Sequence, residues 1–428
     1  MREITCISEI RLRYYKKNGV NMSFSYIPRS LEAVLRSSVE TFPSITLTGP
    51  RQSGKTTLLK RIFGDTYQYV SMEVPDMRDN AESDPRGFLA TFKPPVIIDE
   101  AQYAPILFPY IKEIIDNRRD ESGMFILSGS QNFALLSHIT ESLAGRTDVI
   151  HLMPLSQSEL AGVNDSNFLW ERGDNPTPRP PLDPDSLWRS LWAGSYPEIL
   201  RIPSNKVSRW HENYIQMYLE RDVRSLRQVG DLSQFQTFMR VLAARSAQVV
   251  NLSDLARDVG ISSNTAKHWL SVLEASFVII ILRPYFANVG KRLIKSPKIY
   301  FTDTGVLCNL TRNRLPEMAA SGPMAGAIFE TAVVTEVFKR YLHRGEVPHI
   351  YFWRTAIGTE VDLLIDEGRE LIPLEVKHTA TPRPQMATSI RSLFKDFPDR
   401  VTRGYVVYPG DIRIPVSPNV TAIPFTEL

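Results

Sequence analysis

Gly49-Pro50-Arg51-Gln52-Ser53-Gly54-Lys55-Thr56 fits the pattern G-x-x-x-x-G-K-[ST] and lies between an apolar segment, Ile45–Thr48, and a helical one, Thr57–Phe63. The order strand, glycine-containing loop, helix is the context that gives this pattern its meaning. Glycines let the backbone curl so that its N–H groups face inwards, and the start of a helix adds partial positive charge at the same point. A chain of phosphates is the ligand this arrangement suits. Lys55 is placed to reach the β and γ phosphates, and the Thr56 hydroxyl to hold Mg²⁺. The expected nucleotide-binding set is Gly49, Pro50, Arg51, Gln52, Ser53, Gly54, Lys55, Thr56 and Thr57, with ATP and Mg²⁺ as ligands.

Outward from this loop, short apolar strands alternate with helical stretches: Ile45–Thr48, Tyr67–Ser71, Val96–Asp99, Met124–Ser128 and Asp148–Leu152. Such alternation predicts an α/β core, a mainly parallel sheet with helices on both faces. Pro95-Val96-Ile97-Ile98-Asp99-Glu100 is a buried strand ending in two carboxylates, the form of a Walker B element. Asp99 would act on the Mg²⁺ shell and Glu100 would orient and polarise the attacking water. Ser130, or the adjacent Gln131, fits either of two roles: a sensor bonded to the γ-phosphate or the water, or a helix N-cap. Arg146 likewise fits two. It is a cation for transition-state charge, from its own subunit or a neighbour in a homo-oligomer, or it is a structural arginine at the surface.

A chain of 428 residues is too long for one ordinary core, and the length favours two to four domains of about 100–200 residues. Hydrophobic content of 43% and charged content of 23% match a globular protein and exclude wholesale disorder. The longest apolar run, Phe277–Leu282, falls far short of the roughly 20 residues that span a bilayer, so no membrane partner is expected. The first residues lack an apolar secretion core, and Cys6 and Cys308 cannot form a disulfide framework, which makes a cytoplasmic address the expectation. A net charge of +3 does not by itself demand nucleic acid, so such binding would come from local patches. Residues 174–181 have the Pro-rich chemistry of a linker, and Met22 is a candidate initiator behind a basic extension, residues 1–21.

Taken in order, Gly49–Thr56, Val96–Gln102, Leu127–Gln131 and Leu143–Arg146 followed by Pro154-Leu155-Ser156 resemble a prokaryotic family of AAA-type ATPases that carry a C-terminal domain of unknown function. Gly194–Glu198 and Tyr218–Val223 resemble its middle region, and residues 326–377 its C-terminal part. The resemblance implies a P-loop NTPase core, then a helical connector and winged helix, then a fold similar to PD-(D/E)XK restriction endonucleases. The expected divisions are 1–21, 22–155, 156–228, 229–312 and 313–428.

The residues of the later modules support separate readings. Asn251–Ser262 reads as a short helix capped by Ser253 and stopped by Gly260, and Ser263–Glu274 as a second, with Ala266, Leu270 and Leu273 inward and Lys267 and His268 outward. That is helix-turn-helix spacing. Strands Phe277–Arg283 and Lys298–Thr302 enclose Lys291, Arg292, Lys295 and Lys298, a basic wing suited to DNA phosphates, although winged helices also dock proteins. Further on, Glu360–Ile365 and Leu371–Lys377 predict a hairpin whose alternation puts Glu375 and Lys377 on one face, with Asp362 across from them. Two carboxylates and a lysine so placed suit a second Mg²⁺ or a Mn²⁺, with Glu330 of the preceding helix as a further ligand or supporting contact. By resemblance, Asp362, Glu375 and Lys377 match the D…(D/E)xK positions, with Val361 where proline is usual, and Lys377 would be catalytic. An edge-strand salt bridge in a non-cutting fold is the other reading. Two functions follow: an ATPase acting on DNA with a nuclease-like module, or a nucleotide-controlled interaction protein.

Overall fold

The computed structural model describes residues 26–130, 135, 139, 141–163, 167–172, 183–219, 232–286, 296–355 and 357–428. The extension 1–21, Met22, Gln131, the linker at 174–181, the segment 220–223, and Lys291, Arg292 and Lys295 lie outside the described residues.

Five strands form the first sheet: β1 (Ser44–Thr48), β2 (Gln68–Ser71), β3 (Val96–Asp99), β4 (Phe125–Ser128) and β5 (Thr147–His151). Their order is β2-β3-β4-β1-β5, and every described pairing in the sheet is parallel. The central strands β1, β3 and β4 are buried along their whole length, because helices cover both faces, and a strand covered on both sides reads as a continuous apolar run. Each strand starts or ends within a residue or so of its expected place. Helix α1 (Leu31–Thr41) and helix α2 (Lys55–Phe63) bury Leu31, Leu35, Leu58 and Leu59 against Ile45, Leu47 and Ile150 on one face. Helix α3 (Leu107–Asn117) buries Phe108, Ile111 and Ile115 with Val96, Ile98 and Leu127 on the other.

The middle of the chain is helical. Helix α4 (Leu252–Val259) ends at Gly260, whose φ of 77° is the left-handed stop that glycine adopts without strain. Helix α5 (Ser263–Ala275) follows, capped by Ser262. Asn251, not Ser253, caps α4: its side chain accepts from the N–H groups of Ser253 and Asp254. Both residue types cap well, so the choice was decided by backbone position alone. Ala266, Leu270 and Leu273 are buried and Lys267 is exposed, whereas His268 is half-buried. A two-stranded antiparallel ladder, β6 (Ile279–Leu282) with β7 (Lys298–Phe301), completes this part.

The last sheet has six strands: β8 (Ile350–Arg354), β9 (Glu360–Asp366), β10 (Leu371–Val376), β11 (Gly404–Tyr408), β12 (Ile414–Ser417) and β13 (Val420–Pro424), ordered β12-β13-β11-β10-β9-β8. Strands β8, β9 and β10 form an antiparallel meander, while β11 runs parallel to β10 and to β13. Helix α6 (Ala325–His343) is buried through most of its turns and joins the middle helices to this sheet in one apolar cluster. Among the described residues no helix is long and apolar enough to cross a membrane.

Candidate functional site: the nucleotide loop

The loop after β1 takes the shape its sequence requires. Gly49 has a φ of 142°, and a Cβ there would lie 2.2 Å from the carbonyl oxygen of Leu152, so no other residue fits. Gln52 and Gly54 also adopt positive φ, at 60° and 100°, which turns successive N–H groups towards one centre before α2 begins. The Gly54 position before α2 carries no capping side chain, and the start of a helix favours negative charge. Lys55 Nζ donates to the carbonyls of Gly49 and Pro50, each at 2.9 Å, and spans the loop from within. Ser53 is buried, and its hydroxyl has no hydrogen-bond partner among the described residues. Pro50 is buried, Arg51 half-buried, and Gln52 and Thr57 are exposed. An orphaned hydroxyl, an uncapped helix start and a lysine inside the loop fit an anionic ligand.

Beside the loop, Thr56 Oγ1 donates to Asp99 Oδ2 at 2.8 Å, which joins the start of α2 to the end of β3. Tyr69 donates to the same oxygen at 2.7 Å, and Ser128 donates to Asp99 Oδ1. Burial of the ring, joined by the Asp99 carboxylate beside it, holds the Tyr69 hydroxyl well above its usual range, so it remains a donor. Asp99 is thus oriented from β2, β4 and α2 together. Glu100 sits just past the end of β3 with a φ of 54°, an uncommon value for a non-glycine residue. Its Oε2 accepts from Gln102 Nε2 at 2.5 Å and from the N–H and hydroxyl of Ser130 at 3.3 and 3.1 Å. Ser130 therefore holds Glu100. Residues 131–134, which follow it, lie outside the described residues.

Arg146 lies elsewhere. It immediately precedes β5, whose Thr147 pairs with Ser44 at the start of β1, whereas the loop follows Thr48 at the other end. At about 3.3 Å per residue the strand separates the two by about 13 Å. Its guanidinium grips Asp116 through both oxygens, at 2.7 and 3.2 Å, and this pair holds the Asp116 carboxyl below its usual range. Arg146 therefore stands at the end of the sheet away from the loop, paired with Asp116.

Two residues that the sequence did not single out brace the loop. Arg29 is buried, donates to Ser53 O at 2.9 Å and Met153 O at 2.7 Å, and pairs with Glu159 at 3.1 Å. Glu159 also accepts from the N–H groups of Ser30 and Ser156, and His343 of α6 stands 3.5 Å away. Burial pushes the Glu159 carboxyl up, but Arg29, His343 and the Ser156 N–H outweigh it and bring it down to about 2. A glutamate three residues after Ser156 was the available signal, because the two form a capping box.

The C-terminal cluster differs from expectation. Asp362 and Glu375 do lie side by side, with Lys377 Nζ 2.6 Å from Glu375 Oε1. Lys298, counted above with the basic wing, is instead buried among Glu330, Glu360 and Asp362, at 2.9, 2.6 and 3.6 Å. Among the described residues no group of three or more His, Cys, Asp or Glu side chains is placed to hold a metal ion. Glu330, Asp362 and Glu375 are thus engaged by ammonium groups and not arranged as a metal shell, because a lysine brought from a distant strand supplies the positive charge.

Comparison with known proteins agrees with the core. A profile described as an AAA domain matches residues 41–161, and two described as domains of unknown function, DUF8612 and DUF4143, match 184–317 and 325–428. The uncharacterized protein Rv2008c of Mycobacterium tuberculosis is 31% identical over 401 residues, which is 94% of this chain and 84% of that protein. This chain belongs to the same family. Mb2031c of Mycobacterium bovis, also uncharacterized, matches to the same extent. The Walker-type ATPase PABY2304 of Pyrococcus abyssi overlaps 72% of this chain and 98% of its own at 14% identity, with a TM-score of 0.43. The family member described here carries an AAA-type P-loop ATPase domain.

Proposed function

We propose that the chain is a Mg²⁺-dependent ATP hydrolase whose nucleotide state governs a DNA-binding helix-turn-helix module and an endonuclease-like C-terminal domain. The observation that carries the reading is the Thr56–Asp99 hydrogen bond of 2.8 Å, with Glu100 fixed one residue beyond it. Bound Mg²⁺, next to Thr56 and Asp99, would neutralise charge on the β and γ phosphates. Gly49–Thr56 wraps the phosphates, and Lys55 exchanges its two loop carbonyls for phosphate oxygens. Glu100 accepts a proton from, or orients, the attacking water, and Ser130 and Gln102 set the direction of its carboxylate. Arg146 reaches only a neighbouring copy's site, which ties its use to a homo-oligomer.

For DNA binding, the support is the pair α4 and α5 with Gly260 between them and Lys267 exposed on the second helix. The order helix α6, meander β8–β10, helix Thr388–Asp396 and parallel strand β11 supports an endonuclease-like frame. A second reading, a nucleotide-controlled interaction protein with a non-cutting C-terminal domain, is favoured by Lys298 among the carboxylates. Phosphate release by the full chain with Mg²⁺, with and without duplex DNA, and duplex affinity at several salt concentrations separate the two. DNA-stimulated turnover with a steep salt slope upholds the first, whereas turnover indifferent to DNA and no duplex binding at low salt give the second.

A further inference from the structure

The carboxylates of the C-terminal sheet come from three directions. Glu360 and Asp362 project from the same face of β9, two residues apart; Glu375 comes from β10, and Glu330 from α6 above them. Strand β7, which belongs to the middle of the chain, crosses this group and delivers Lys298 and Tyr300 from one of its own faces. Lys298 Nζ is 2.9 Å from Glu330 Oε1, 2.6 Å from Glu360 Oε1 and 3.6 Å from Asp362 Oδ1, and Tyr300 donates to Glu330 Oε1 at 2.6 Å. Asp362 and Glu375 are held by other groups as well. Asp362 Oδ2 accepts from Val376 N at 2.8 Å, and Glu375 accepts from Lys377 at 2.6 Å and from Ser389 Oγ at 2.7 Å.

A divalent ion needs about six oxygens at close to 2.0–2.6 Å, with the carboxylates turned towards it. Here Glu330 and Glu360 meet an ammonium at charged hydrogen-bond distances of 2.9 and 2.6 Å, with Asp362 beside it at 3.6 Å. Lys298 is only 2% exposed and its carboxylate partners are buried or half-buried, so removing its charge would leave like charges facing one another with little water between them. Burial, joined by Asp362, already pushes both Glu330 and Glu375 up to about 7, which shows how crowded with negative charge the cluster is even with both lysines present.

From this arrangement we infer that Lys298 is a tethered cation that stands in the place of a divalent metal and closes the acidic cluster of the C-terminal sheet to one. The inference rests on the C-terminal part of the function proposed above and is independent of ATP hydrolysis. The closure is an autoinhibitory contact between two parts of one chain, and in this conformation metal-dependent phosphodiester cleavage is shut off.

The test is a titration of the full chain with Mn²⁺ alone, at a pH about one unit above 7 and without nucleotide or DNA, read from the electron-spin signal of free Mn²⁺. Wild type is expected to show no Mn²⁺ site that depends on Asp362. Lys298→Met should gain about tenfold or more in Mn²⁺ affinity, Lys298→Arg should behave as wild type, and Asp362→Asn added to Lys298→Met should abolish the gain. Melting curves show which variants are folded. A wild-type Mn²⁺ site lost in Asp362→Asn overturns the inference, as does a folded Lys298→Met or Lys298→Ala protein with no gain. If neither Lys298 variant folds, the wild-type titration decides alone, since an Asp362-dependent site refutes closure and its absence upholds it. None of these outcomes bears on phosphate release, so failure here leaves the ATPase reading standing.

Discussion

Replacing Arg29 with alanine removes a guanidinium that serves three partners at once: Glu159 at 3.1 Å and the carbonyls of Ser53 and Met153 at 2.9 and 2.7 Å. Glu159 is 4% exposed, so the substitution leaves its charge buried with only backbone N–H groups and His343 for company. Breaking a buried pair in this way costs about 3–5 kcal/mol, a large share of the roughly 5–15 kcal/mol that holds a typical domain folded. The corresponding fall in melting temperature is about 10 °C for a unit of this size. Because Ser53 O belongs to the phosphate loop, affinity for ATP should fall as well. Adding Glu159→Gln to Arg29→Ala removes the orphaned charge and should recover part of the lost stability but not the affinity. The assay is thermal melting by circular dichroism, together with titration of a fluorescent ATP analogue at a temperature where both variants are folded. A shift below about 2 °C for Arg29→Ala, or a double variant no more stable than the single one, refutes the charge argument.

Acid should destabilise the fold through the buried His343 and the half-buried His151, both held down to about 4, chiefly by desolvation of the ring. Their folded values lie below the unfolded ones, so the stabilisation is present above about pH 6.5 and is lost as pH falls through about 4. Between about pH 7 and about pH 5 each costs about 2 kcal/mol, and His343→Gln should visibly flatten the melting temperature over that range. Arg146→Ala should slow ATP turnover more than it weakens ATP binding, with the melting temperature unchanged. Mixing it with Lys55→Ala subunits should restore part of the activity if the arginine serves a neighbour, and turnover equal to wild type would leave Arg146 as the partner of Asp116 alone.

Local pattern was sufficient wherever the physics is local. The loop Gly49–Thr56 needs a strand before it and a helix after it, and β1 and α2 stand there. Asp99 and Glu100 follow a strand too apolar to be anything but buried, and the hairpin β9–β10 follows from alternation and the turn at Gly368. The brace at Arg29 was not legible, because nothing in its neighbourhood announces a carbonyl at Met153, 124 residues away. Lys298 shows the same limit from the other side. Sequence reports its charge and its position after a basic run, but whether a lysine faces water or carboxylates is decided by which strand lands on which sheet. Ser130 fits a phosphate sensor or a cap by sequence alone, whereas its partner Glu100 lies 30 residues earlier, just past the end of the neighbouring strand β3.

The central claim is that Glu100 acts on water while Lys55 acts on phosphate, and steady-state ATP hydrolysis measured alongside equilibrium ATP binding addresses it directly. With purified full-length protein and Mg²⁺, Lys55→Ala should lose ATP binding, whereas Glu100→Gln should bind ATP like wild type and release phosphate about a hundredfold more slowly or less. Equal rates of phosphate release by wild type and a folded Glu100→Gln protein would contradict the account.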